Sequence, residues 1–261
     1  MSEEKVRLGG MALPNGVLVH GPKSWACAIR HDDGRIEVAS ALKRFRAANV
    51  ESPFVRGPAR IVEALALLPQ LKRALPAARL PMQNPRVLGS MLAAAVAVRR
   101  IRESGRLGPV AQETVSGVLT IAPAILALRG TELAAYHGAE HISIGRYEHD
   151  GDARKEHERC GGHLVGPLVL TTAVGNVLAG LAPEEMRPRA RTAAQLGAIA
   201  VSTEIFGWMT RNPDNPVAKA LSMPGHELQH RLSTAEPSQE QLEVAEAALA
   251  ACLELEHGPD E

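Results

Sequence analysis

Two imidazoles and a carboxylate stand at H-x-x-E-H spacing in His137-Gly138-Ala139-Glu140-His141. On a helix, His141 lies about 40° around the axis from His137, and Glu140 about 60° to the other side, so one face presents all three. Two neutral imidazoles one turn apart can share a divalent metal, and the Glu beside them can take a proton from water held there. This is the inverted zinc-hydrolase arrangement. With 10 His and 29 acidic residues in 261 positions, chance supplies about 0.04 such matches. The competing reading is a solvated helix carrying its His on the wet face.

Further ligand types follow. His157-Glu158-Arg159-Cys160-Gly161-Gly162-His163 offers imidazoles and a thiol, the donors zinc prefers. It comes after Asp150-Gly151-Asp152, so the spacing predicts a loop or helix start that folds back on residues 137–141. A second pattern, His226-Glu227-Leu228-Gln229-His230, matches the ordinary metalloprotease H-E-x-x-H. It lies between Met223-Pro224-Gly225 and a turn-like stretch at 233–237, which leaves a helix of barely two turns. If both His pairs bind metal, they make a four-His site between two helices. Glu204 is the only charge in 192–210 and must find a partner or shift its pKa. A metal or a His would satisfy it, and so would Arg129 or Arg146.

Composition bounds the function class. Basic and acidic residues balance at 29 each, which leaves no electrostatic footprint for nucleic acid. Cys27, Cys160 and Cys252 are too few and too scattered for a disulfide framework, which points to a reducing compartment. The opening Met1-Ser2-Glu3-Glu4-Lys5 has no apolar run behind it, so no secretory signal is expected. Residues 161–182 carry no Asp, Glu, Lys or Arg and are long enough to cross a bilayer. His163, Thr171, Thr172, Asn176 and several glycines dilute that stretch, and a buried helix of a soluble bundle is the other reading.

The elements that must position these residues fall into two regions. Residues 9–40 read as a small β region: Gly9-Gly10 and Gly16 punctuate it, and Asp32-Asp33-Gly34 between short apolar runs signals a hairpin. From 55 to 256 the composition is rich in Ala, Leu and Arg, which favours helices. The expected helices are 59–74, 86–104, 110–128, 131–148, 163–181, 189–211 and 239–256. Prolines 76, 81 and 85 interrupt one stretch and prolines 213, 216 and 224 another. Ser238-Gln239-Glu240-Gln241 fits a capping box ahead of an apolar stripe at Leu242, Ala245, Leu249, Cys252 and Leu253. The fold class is mainly α, a helical bundle with a small N-terminal β-hairpin region, in one domain over 1–261.

Tyr136-His137-Gly138-Ala139-Glu140-His141, Tyr147-Glu148 and His157-x-Arg159-Cys160-Gly161 together resemble the YqhQ-like proteins, a bacterial family of unknown function labelled predicted metal-dependent enzymes. The likeness reaches both ends, through Gly9-Gly10, Asn15-Gly16-Val17, Gly21-Pro22-Lys23-x-Trp25-Ala26, Pro224-Gly225, Leu228-Gln229, Thr234, Glu236-Pro237 and 242–245. Asn15 stands where relatives carry an acidic residue, the segment between Glu148 and His157 is short, and His226 and His230 are outside the family pattern. Relatives carry clearer transmembrane helices. The resemblance implies a metal site at His137 and His141 and names no reaction.

The expected function is metal-dependent hydrolysis. His137 and His141 would bind Zn²⁺, His157 or Cys160 would complete the coordination, and Glu140 would activate water. Aromatic residues make up 3% of the chain, which argues against a site for stacking large planar groups and suits a small or lipid-like substrate. One alternative is a membrane-associated helical protein whose metal is structural and whose surface binds a partner. Another is an iron-dependent redox enzyme, in which Fe²⁺ takes two His and a carboxylate such as Glu148 or Glu204. The expected location is the cytoplasm or an association with the cytoplasmic membrane.

Overall fold

The computed structural model describes residues 5–128 and 130–258. The polar opening at 1–4 and Arg129, one of the partners considered for Glu204, lie outside them. Four strands form an antiparallel meander: β1 (Gly9–Leu13), β2 (Gly16–His20), β3 (Ser24–Arg30) and β4 (Ile36–Leu42), in the order 1-2-3-4. The Asp-Gly signal is the β3–β4 turn, with Gly34 at φ 86° and Arg30 paired with Ile36. β2 and β3 are apolar on both faces because both faces are covered.

Eight α-helices follow among the described residues: α1 (Arg56–Ala74), α2 (Pro85–Ser104), α3 (Pro109–Leu128), α4 (Glu132–His149), α5 (Val165–Gly180), α6 (Arg187–Arg211), α7 (Pro216–Leu228) and α8 (Gln239–His257). On one face of the sheet, Val17, Val19, Ala26 and Ala28 pack against Tyr136 and Ala139 of α4 and Val244, Ala245 and Ala248 of α8. On the other, Leu18, Trp25, Cys27 and Ile29 pack against Leu67 and Leu71 of α1. Small side chains dominate the first interface, so α4 lies close to the sheet. Glu256 pins the end of α8 there, its carboxylate accepting the N–H groups of Lys23 and Ser24 at 2.9 and 2.7 Å.

Seven of the helices fall where periodicity puts them, within a few residues. α7 corrects the expectation that prolines 213, 216 and 224 break the chain. Pro216 occupies the first turn, where its missing N–H costs nothing, and the Asn215 side chain accepts the Val217 N–H to cap the helix. The capping box of α8 forms in both directions, with Ser238 and Gln241 exchanging bonds of 3.3 and 2.8 Å.

α4 is the pivot. From Gly138 to Gly145 every residue is buried, and the half-buried His137 is tied to the Ser233 carbonyl, so the solvated-helix reading of His137 and His141 does not hold. The helix crosses the chain at Ala235 so tightly that a Cβ at Gly138 would fall 2.1 Å from the Ala235 carbonyl oxygen. Asp150, at φ 52°, ends the helix in the left-handed conformation and turns the chain back. Away from the sheet, α2 pairs with α3 and α5 with α6. The segment Gly161–Gly180 is long and apolar enough to cross a membrane.

Candidate metal centre

The loop after α4 folds back on it, as the spacing predicts. The structure brings together His137, His141 and Cys160, with one ligand atom from each inside a 4.8 Å sphere of mutual distances. The Cys160 Sγ lies 3.6 Å from His137 Nε2. Ligands of one tetrahedral zinc ion sit about 3.3–3.6 Å apart, given bond lengths near 2.0–2.3 Å.

Both imidazoles are aimed from behind. His137 Nδ1–H donates to the Ser233 carbonyl at 2.8 Å, and His141 Nδ1–H to the Lys155 carbonyl at 2.5 Å. With both Nδ1 protons committed, each Nε2 presents a lone pair to the cluster, the tautomer a metal needs. Burial lowers both imidazole pKa values, His141 well below its ordinary value with the neighbouring His137 adding to the effect. Both rings are therefore neutral at physiological pH. Burial pushes the Cys160 thiol up to about 12, so it becomes a ligand only by giving its proton up to a bound cation.

Glu140 lies beside the cluster, on the side facing the sheet. Its carboxylate rests on β1, where a Cβ at Gly10 would fall 2.4 Å from Oε1, so the absence of a side chain at Gly10 makes room for it. Burial raises its pKa to about 8, and a dication at the cluster would draw that back down. His137, Glu140, His141 and Cys160 all line one cavity of about 640 Å³, whose remaining wall includes Met82, Met91, Pro123 and Leu133.

The other candidates do not join the three-atom cluster, although His157 lines the same cavity. His157 stands 5.6 Å from the His141 ring but spends its Nε2–H on Glu148 at 3.1 Å, and it lies outside the three-atom cluster. Glu148 also pairs with Arg159. Glu204 is held by Arg56, whose Nε–H donates at 2.9 Å, while Arg146 pairs with Glu246 at 3.0 Å. The two carboxylates considered for iron are thus each committed to an arginine. His226 and His230 are exposed, with His230 bound to Glu156 at 2.9 Å, and the four-His site does not form. What the second motif contributes is Gln229, fully buried. Its Oε1 accepts the His157 N–H at 2.8 Å and its Nε2 donates to His163 at 2.9 Å.

Sequence reasoning passed over His20, which also lines the cavity. Lys43 Nζ donates to its Nδ1 at 3.0 Å, which leaves the proton on Nε2. Burial and the Lys43 charge lower its pKa to about 4. Strand alternation on β2 would have put it on the same face as Leu18, but nothing local marks it as a cavity residue.

The profile of a family described as "Protein of unknown function (DUF1385)" matches residues 131–255. The chain is 27% identical to "Uncharacterized protein YqhQ" of Bacillus subtilis (strain 168) over 313 aligned residues, covering 98% of this chain and 96% of that protein. The chain is thus similar to the DUF1385 family over residues 131–255. The DUF1385 match begins at the N-cap of α4 and ends near the close of α8, so it contains His137, Glu140, His141, Cys160 and the bracing Ser233. No solved structure matches.

Proposed function

We propose that this protein is a zinc-dependent hydrolase. The observation that carries the reading is the convergence of His137, His141 and Cys160 in the wall of a cavity that also holds Glu140. Among the described residues no fourth His, Cys, Asp or Glu joins the three. A structural zinc is closed by four protein ligands, whereas a catalytic one keeps a position for water. When bound, Zn²⁺ supplies a Lewis acid that acidifies water and polarises a carbonyl. His137 and His141 hold their orientation through the Ser233 and Lys155 carbonyls. Glu140 accepts the proton that water gives up and returns it to the leaving group.

Metal analysis of protein purified without a His tag tests this. Native protein is expected to carry close to one zinc per chain, His137→Ala to carry little, and Glu140→Gln to keep its zinc. If His137→Ala leaves the zinc content unchanged, the proposal is wrong.

We also infer that the protein associates with membranes. Val169, Leu170, Val174, Val177, Leu178 and Leu181, on and just after α5, are all at least 47% exposed, far more apolar surface than one solvated helix ordinarily shows. Cosedimentation with lipid vesicles tests this.

A further inference from the structure

Resting on the hydrolase reading, the geometry points to an extended peptide as the substrate, which we propose binds as an added strand on β1. β1 is an edge strand that pairs only with β2. Among the described residues, no hydrogen bond of Gly9–Leu13 other than those to β2 is present. Alternate residues of an antiparallel edge strand turn their N–H and C=O groups away from their partner, so β1 offers a row of unfilled backbone donors and acceptors.

The cavity meets that row. A strand bordering a cavity with one face contributes every second residue. Here five successive residues, 8–12, line the same cavity that holds His137, Glu140 and His141. Residues from both faces of β1 reach it, so the cavity faces the edge of the strand. Gly10 is exposed there although the Glu140 carboxylate fills the space that a Cβ at Gly10 would take. A chain paired with β1 lies about 4.8 Å from it, and at Gly10 its backbone passes beside the Glu140 carboxylate.

Peptide backbone is the chemistry that satisfies such a row, supplying alternating N–H and C=O groups at the matching repeat. An ester, a sugar or a lipid has no such repeat. The facing wall of Met82, Met91, Pro123, Ala124 and Leu133 selects apolar side chains next to the bond that is cut. In the reaction the oxygen of water bonds to the peptide carbonyl carbon and the C–N bond breaks. One product ends in a carboxylic acid. The other leaves as an amine, protonated by the proton that Glu140 took from water.

The test uses full-length, zinc-loaded protein and a mixture of fluorescence-quenched ten-residue peptides, with p-nitrophenyl acetate as a non-peptide control. Peptides with apolar residues at the cut are expected to be cleaved. In a scan that N-methylates one backbone nitrogen at a time, kcat/KM should fall at least tenfold at every second position on either side of the cut and stay nearly level between. A flat scan overturns strand pairing. Turnover of p-nitrophenyl acetate that depends on zinc and Glu140, with no peptide cleaved, overturns the peptide class and leaves the hydrolase reading standing. Zinc-loaded protein that cleaves neither substrate overturns both.

Discussion

A cysteine thiol that burial holds near 12 and two imidazoles that burial keeps neutral set the pH response of the centre. Each zinc bound at Cys160 displaces one proton, so acidification favours the empty site. The zinc dissociation constant is expected to rise more than tenfold for each pH unit lowered between pH 8 and 6, because the proton that metal-free Glu140 holds below about pH 8 must leave as well, and competition with a chelator at several pH values measures it. Cys160→Ser should make that slope shallower without abolishing it. Glu140 gives a second pH effect, in the metal-free protein. Its folded pKa of about 8 lies above the unfolded carboxylate value near 4.3, so its stabilisation is present below that lower value and is lost as pH rises through about 8. Denaturant titration of metal-free protein should find Glu140→Gln more stable than the native chain at pH 8.5, by about 5 kcal/mol, and the difference should vanish at pH 4. At this scale, spacing marked the His pair as a candidate, while donor types left His157 and Cys160 as equal choices for the next ligand, and only the fold puts Cys160 beside the pair. The groups that aim the pair were hidden, because the carbonyls of Ser233 and Lys155 belong to the backbone and leave no mark on residue type.

Among the elements, α4 succeeds because a gap in its side chains lets it touch what it must. Gly138→Ala would drive a methyl group into the Ala235 carbonyl, 2.1 Å away. Relief requires the segment that carries Ser233 to move. Such overpacking costs about 1–3 kcal/mol, so thermal unfolding should show a lower Tm and chelator competition a weaker site. The long helices were legible because apolar periodicity over four or five turns outweighs local noise. α7 was not, since Pro216 and Pro224 read as breaks when one of them is a compatible start. The bond between Arg56 and Glu204 was equally out of reach. It joins the start of α1 to α6 across 148 positions, and sequence offered Glu204 many arginines of equal standing.

The molecule as a whole divides into a well-covered sheet layer and a helical region with much apolar surface in the open. Leu92 and Val96 of α2, Val118 and Leu126 of α3, and Leu178 of α5 are each more than half exposed. Burying apolar surface is worth about 25 cal/mol per Å², which favours a lipid surface over water. In sucrose-gradient flotation the protein should rise with phospholipid vesicles, and Leu170→Glu with Leu178→Glu should leave more of it at the bottom. Composition had left residues 161–182 poised between a buried helix and a membrane-facing one. Hydropathy alone could not separate these, because it counts apolar residues without knowing which neighbours cover them.

The bracing of His137 by Ser233 also orders events in time. Chains leave the ribosome N-terminus first and fold as they emerge. The sheet, Glu140 and all three candidate metal ligands are synthesised well before residue 233. Until that carbonyl arrives, and Ala235 N–H bonds to Ala134 across α4 at 2.9 Å, His137 has no fixed orientation. A nascent chain therefore carries the ingredients of the centre from Cys160 until Ser233 is added without the geometry to use them, and the segment that brings Ser233 is what arms it.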